Sequence, residues 1–355
     1  MSGLDGGDLR DALAYIGKDE ALRRDIIQTL VDYENRKLPW SRNLREEVTG
    51  PIVDALYAGS DTVSRELANG IVITCPYRSK IAREFLMATA DKPTFVWEPQ
   101  TTKILLHFAE GAKNVLIGGA YFGDQAILIA NVLKSSGGIA HCFDANPDQL
   151  AALVANAEAN GLREQVKDVL AGLWHEEGKL LSLEDADSHA AATLTDDENG
   201  IKTRTIDNYC REAGIEKLDL IMLDIEGSEL PALQGALGQM GGKSEPGPII
   251  VFEVHRHYVD WDSGLHTTDI VKDLASRGYT SYAIRDYQGH VDMTDQPIEL
   301  VTAETANLEG PPHGFNMLAI KDTSRLDHPL FRIRENVSPK LLFHRDPSLH
   351  QPIKD

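Results

Sequence analysis

Residues 115–125 read VLIGGAYFGDQ: three large apolar residues break into two glycines, a third glycine follows at Gly123, and a helical pattern restarts at Asp124. An apolar run that stops at glycines and resumes as a helix is the opening turn of a βαβ unit, where the backbone must approach a ligand closely and side chains would obstruct it. Gly118, Gly119 and Gly123 supply that clearance, with Ala120 between them. The N–H groups at the start of the helix suit a carboxylate or phosphate. The spacing is GGxxxG rather than the GxGxxG of dinucleotide-binding turns.

Outward from this turn the alternation continues. NVLIG, IAHCFDA, VKDVLAG, LDLIMLD, PIIVFEVH and YTSYAIRD read as strands, with helical stretches between them and FNMLAIKD as the last candidate strand. The pattern predicts an α/β fold with a doubly wound, mainly parallel, seven-stranded sheet. A domain over 96–322 is expected, preceded by a mostly helical region over 1–95 and followed by a surface tail over 323–355. In the first region DALAYIGKDEALRRDIIQTLVDY and GPIVDALYAGSDTVSRELA carry helical spacing, GIVITCPY reads as a strand, and a helix is expected from Ser79 to Ala88. Arg78, Lys80 and Arg83 there are candidate contacts for an acidic acceptor, though such a run reads more simply as a solvated helix face. The region suits a lid or a homodimer interface, and the polar stretch from Gln288 to His313 reads as a connection.

Composition narrows the partners. The chain of 355 residues carries a formal net charge of −20, which repels a phosphate backbone, and nucleic acid is therefore not the expected partner. No apolar run approaches the roughly 18–20 residues that span a bilayer, and no membrane association is expected. The start, MSGLDGGDLRDAL, lacks the basic and apolar regions of a secretory leader, so a cytoplasmic setting is expected. Cys75, Cys142 and Cys210 form no CxxC pair and read as buried thiols.

Asp144 ends the second strand of the unit, 21 residues beyond Gly123, where a carboxylate can accept both hydroxyls of a ribose. Asn146 and Pro147 cap and open the next helix. Further along come Thr205 to Asn208, then Asp224-Ile225-Glu226-Gly227-Ser228-Glu229, Gly235-Ala236, and a strand ending at Glu253. Together with Phe143-Asp144-Ala145-Asn146-Pro147 these resemble the FkbM family of S-adenosylmethionine-dependent methyltransferases. The resemblance covers about Val115 to Asp322 and implies a Rossmann-like class I methyltransferase domain with S-adenosylmethionine as cofactor. It also implies O-methylation of a small hydroxylated acceptor such as a sugar or glycosylated metabolite.

In the family the first strand ends in an acid that helps hold the cofactor's amino group. Here that position is Ile117. Glu98 and Asp124 are the candidate replacements, Glu98 being favoured. The end of the third strand, Ala171 to Trp174 and so Leu173 and Trp174, is where an adenine contact is expected, although Trp174 fits a core role equally well. Asp144, Ala145 and Asn146 belong to the ribose side, and Asp224 borders both cofactor and acceptor. For catalysis a weakly acidic hydroxyl needs a base. His255 is the candidate, with Asp224 orienting the acceptor and Glu253 beside it. Asp224, Glu226 and Glu253 are also a set that takes a divalent cation such as Mg²⁺, though the spacing does not demand one. In the competing structural account Glu226 satisfies the N–H groups of the helix that follows. A nicotinamide-dependent oxidoreductase shares the glycine turn and Asp144 but predicts GxGxxG. A non-catalytic methyltransferase-fold binding module is the reading in which Ile117 marks a lost function.

Overall fold

The computed structural model describes residues 6–37, 43–77, 79–88, 91–184, 191–308 and 313–342. Numbered along the chain, the strands of its large sheet are β1 Asn114–Gly118, β2 Ile139–Asp144, β3 Val166–Leu170, β4 Leu220–Leu223, β5 Ile249–Val254, β6 Thr280–Ile284, β7 Ile298–Thr302, β8 Phe315–Ile320 and β9 Phe331–Arg334. They lie in the order β9-β7-β6-β8-β5-β4-β1-β2-β3. Strands β1 to β5 are parallel to one another, and β8 inserts antiparallel between β5 and β6.

The central strands are apolar throughout because both faces of the sheet are covered. Alternate residues serve the two sides: Val115, Ile117, Leu220, Met222, Ile249 and Val251 pack into one core, and Leu116, Ile221, Leu223, Ile250, Phe252 and Val254 into the other. The order reverses between β1 and β4, where Gly118 lies beside Leu223. A crevice opens at such a switch point beyond the carboxyl ends of the strands.

The seven expected strands are present, and the sheet continues by two more. Strand β7 falls inside the stretch expected as a connection, and β9 inside the expected surface tail. The tail assignment is therefore corrected for 323–342. Ser338, Lys340 and Leu341 are buried, and Lys340–Leu341 pairs with Asp286–Tyr287; residues 343–355 lie outside those described. The signal in FRIR was weak because β9 is an edge strand, with only Phe331 packed in the core and Ile333 exposed. A small four-stranded sheet, Gly172–Leu173, Ile201–Arg204, Leu180–Glu184 and Ala191–Thr195, also stands between β3 and the helix Ile206–Ala213.

Residues 6–88 form helices Gly6–Ile16, Glu20–Arg36, Gly50–Leu56 and Lys80–Leu86, plus an antiparallel hairpin of Thr62–Glu66 with Val72–Pro76. TVSRE is thus a strand where helical spacing predicted a helix. Asn156, on the helix Pro147–Ala159, and Asn160, at its C-cap, continue the hairpin's ladder by exchanging hydrogen bonds with the backbone of Thr74 and Val72. The arrangement is centred on Arg45, buried and donating to Glu34 and Glu84 at 2.7 Å each. Arg83 pairs with Glu46 and Asp54, and Lys80 with Glu46, so these cations serve the fold; Arg78 lies outside the described residues. Arg45→Met should strand two buried carboxylates and destabilise this region by about 3–5 kcal/mol. Urea denaturation would show it, and a loss below about 1 kcal/mol would mean that water replaces the guanidinium.

Candidate active site

The cleft over β1 and β4 is lined by Gly118, Gly119, Ala120, Tyr121 and Asp124 on one side and by Asp224, Ile225, Glu226 and Ser228 on the other. Asp144, Ala145 and Asn146 close one end, and Leu173 forms part of the wall. Ile81 and Trp97 come to it from outside the alternating strands and helices. Its geometry rests on glycine. At Gly119, with φ of +76°, an added Cβ would lie 1.8 Å from the carbonyl oxygen of Asp224. Gly123 instead seats the turn on Ile127 and Leu153 and does not line the cleft.

Asp144 is fixed by two backbone donors, Tyr121 N–H and Asn146 N–H, both at 2.8 Å. Burial pushes its carboxyl above the ordinary range against those hydrogen bonds. It is not the cap of the next helix, because Asn146 accepts from Asp148 and Gln149 there. The remaining lone pairs of Asp144 face a cleft, which is the arrangement a ribose diol needs.

Two expectations shift. Trp174 is not part of the cleft: its N–H donates to the Arg204 carbonyl and its own carbonyl lies against Gly235. Leu173, one residue earlier, takes the wall because successive side chains on extended backbone face opposite ways. Glu98 is buried behind the cleft, where Asn316 Nδ2 donates to it at 2.7 Å. Desolvation, then the charges of Asp224, Asp286 and Asp124, hold Glu98 well above the carboxylate range. Asp124 is the acid on the wall itself, pushed up to about 6 by burial. Ile117 is fully buried at the base of the crevice.

The strand ends bring three further acids together. One carboxylate oxygen from each of Asp224, Glu226 and Glu253 lies within 4.8 Å of the others, close enough to share one metal ion. Burial, followed by the neighbouring carboxylates, raises Asp224 and Glu253 well above their usual range. Every charge acting on Asp224 and Glu253 in this way is itself a carboxylate. A cationic ligand fits such a wall, and S-adenosylmethionine carries a sulfonium and an ammonium.

Glu226 is not the residue that satisfies the helix start. It accepts from the Tyr258 hydroxyl at 3.0 Å, while Glu229 closes the turn that leads into the helix, accepting from Ile225 N–H at 2.9 Å and Gly227 N–H at 3.0 Å. The DxEGxE spacing contained this signal, since a carboxylate five residues past Asp224 can fold back over the turn. His255 is half-buried, and its Nδ1 accepts from His257 N–H at 3.0 Å. In the neutral ring that bond places the proton on Nε2.

The family model described as a methyltransferase FkbM domain matches residues 118–281. No curated protein matches the chain. Among solved structures, an O-methyltransferase from Bacillus cereus in complex with SAH is similar at 17% identity and a TM-score of 0.35, over 63% of this chain and 81% of that one. An rRNA methylase from Streptococcus thermophilus gives 14% identity and 0.33, over 62% and 93%. A methyltransferase FkbM from Methylobacillus flagellatus KT gives 15% identity and 0.33, over 59% and 44%. At those scores the reading rests on the family match and on the strand order and cleft described above. Residues 118–281 thus form a methyltransferase FkbM domain.

Proposed function

We propose that the protein transfers a methyl group to a hydroxyl oxygen of a small neutral acceptor, a sugar or a glycosylated metabolite. The observation that carries this reading is the carboxylate rim beside the cofactor cleft. Carboxylates held well above their usual pKa can take the proton of a weakly acidic hydroxyl near neutral pH, which ordinary surface acids do poorly. The same rim repels phosphorylated acceptors and favours neutral ones.

When bound, S-adenosylmethionine supplies a methyl group activated on a sulfonium. Asp144 holds the ribose hydroxyls, with Ala145 and Asn146 beside it. Gly118 to Ala120 leave room for the methionine portion, and Asp124 faces its ammonium. Leu173 lies against the adenine. Asp224 takes the acceptor's proton, Glu253 and Glu226 keep it basic, and the Nε2–H of His255 orients the acceptor oxygen. The Asp224, Glu226 and Glu253 oxygens would also hold a divalent cation, but proton removal by Asp224 does not require one.

Ile81 on the cleft wall favours a covering role for residues 1–95 over a homodimer interface. The three cysteines are free and buried, which suits a reducing, cytoplasmic setting. Among the described residues no helix is long and apolar enough to cross a membrane.

Asp144→Ala should weaken binding of S-adenosylmethionine about 10- to 100-fold by calorimetry, the loss of a charge-assisted contact to a diol; unchanged affinity would take Asp144 out of the site. Asp224→Asn should lower turnover by about 10²- to 10⁴-fold while SAH affinity moves less than about threefold. A raised carboxyl pKa means that the base is lost as pH falls through that raised value. Wild-type turnover should accordingly drop on the acid side from a pH above the usual carboxylate range, and this limb should be absent from the residual activity of Asp224→Asn. Turnover that disappears with EDTA and returns with Mg²⁺ would move proton removal from Asp224 to a metal.

A further inference from the structure

The Asp224–Glu229 loop separates two hollows. The cofactor cleft touches Asp224, Ile225, Glu226 and Ser228, whereas a second cavity, opening among Tyr258, Thr268 and Lys272, touches Gly227 and Glu229. The backbone between them takes a turn that L-residues resist, with φ of +52° at Glu226 and +99° at Gly227. Two contacts hold it there. From below, the buried carboxylate of Glu229 accepts from Ile225 and Gly227 N–H. From the side, the ring of Tyr258 packs on Gly227, where a Cβ would approach within 2.6 Å, and its hydroxyl donates to Glu226.

We infer that Glu229 is a positioning residue which, together with Tyr258, turns Asp224 and Glu226 toward the cofactor cleft and so sets its preference for a sulfonium over a neutral thioether. The inference rests on the proposed cofactor assignment. A carboxylate suits the position because the loop offers it two donors and no acceptor. An amide would satisfy Ile225 N–H through its oxygen and then set its own N–H₂ against Gly227 N–H. The consequence reaches the reaction through charge. The methyl donor is cationic at sulfur and the demethylated product is not, so carboxylates aimed at the cleft stabilise the donor selectively. A displaced loop loses that selectivity while keeping the ribose, adenine and glycine-turn contacts, which are common to both ligands.

The test is calorimetric titration of the full chain with S-adenosylmethionine and, separately, with SAH. Glu229→Gln should weaken S-adenosylmethionine about tenfold and SAH less than about threefold. Tyr258→Phe alters no charge on the loop and tests its position alone; a shift of about threefold in the ratio of the two affinities is expected, in the same direction. Equal losses for both ligands, or an unmoved ratio in Tyr258→Phe, would overturn the inference, because a merely structural role weakens the two alike. Should Glu229→Gln not fold, Tyr258→Phe decides. A wild-type chain that binds neither ligand would overturn the cofactor assignment and this inference with it, whereas binding of both with ratios unmoved overturns only the latter.

Discussion

The carbonyl oxygen of Asp224 occupies the place where a Cβ on Gly119 would be, and the site follows from that contact. It lets the turn after β1 lie directly against the loop after β4. Asp224 N–H donates to the Gly118 carbonyl, and Gly119 and Ala120 N–H both donate to the Phe143 carbonyl, all at 3.0 Å. Three strand ends are thereby joined without using any of the side chains that face the ligand. The carboxylates of Asp144 and Asp224 can then approach one cleft from either side. Any side chain at position 119 would force the two loops apart, and the distance between the ribose side and the acid rim would no longer be set by the sheet.

What the fold assembles there is costly. Glu98, Asp124, Asp224, Glu229 and Glu253 are each raised by burial, and each of Glu98, Asp224 and Glu253 is raised further by its neighbours. Buried like charges are among the least favourable arrangements a protein can hold. They persist because the surrounding sheet is apolar on both faces and supplies the stability that the rim gives up. Such an arrangement makes physical sense where a positive ligand arrives and a proton must leave. It has no comparable rationale as a scaffold, since an apolar or amide-lined crevice would bind a partner without the penalty.

Much of this is legible in the sequence itself. Buried parallel strands announce themselves as unbroken apolar runs, and their carboxyl ends located Asp144, Asp224, Glu226 and Glu253 without further information. The missed strand β9 is the edge of the sheet, where pairing contributes more than the composition of the strand itself, and β7 beside it carries Glu299 inside its apolar run, a buried charge paired with Arg285 and Arg334. Local spacing also misled at TVSRE, whose partner ITC lies beyond the turn containing Gly70. The role of Glu226 and the tautomer of His255 were of another kind. Both depend on which backbone N–H a side chain meets, Ile225 and Gly227 for Glu229 and His257 for His255, and such pairings are set by turn geometry that residue types alone do not specify.

The amino-terminal region belongs to the same argument. A helical appendage tied on only by apolar contact could slide over the cleft, but here Asn156 and Asn160 hydrogen-bond the outer edge of the hairpin as a further strand would. Asn156 Nδ2 also donates to the Phe122 carbonyl, inside the glycine turn. One side chain therefore connects the appendage, the helix after β2 and the cofactor turn. The buried Arg45, paired with Glu34 and Glu84, then fixes the helix Lys80–Leu86, which carries both Glu84 and Ile81, the residue that reaches the cleft. The amino-terminal region and the cleft are thus coupled through directional polar contacts, and these resist sliding in a way that an apolar interface does not.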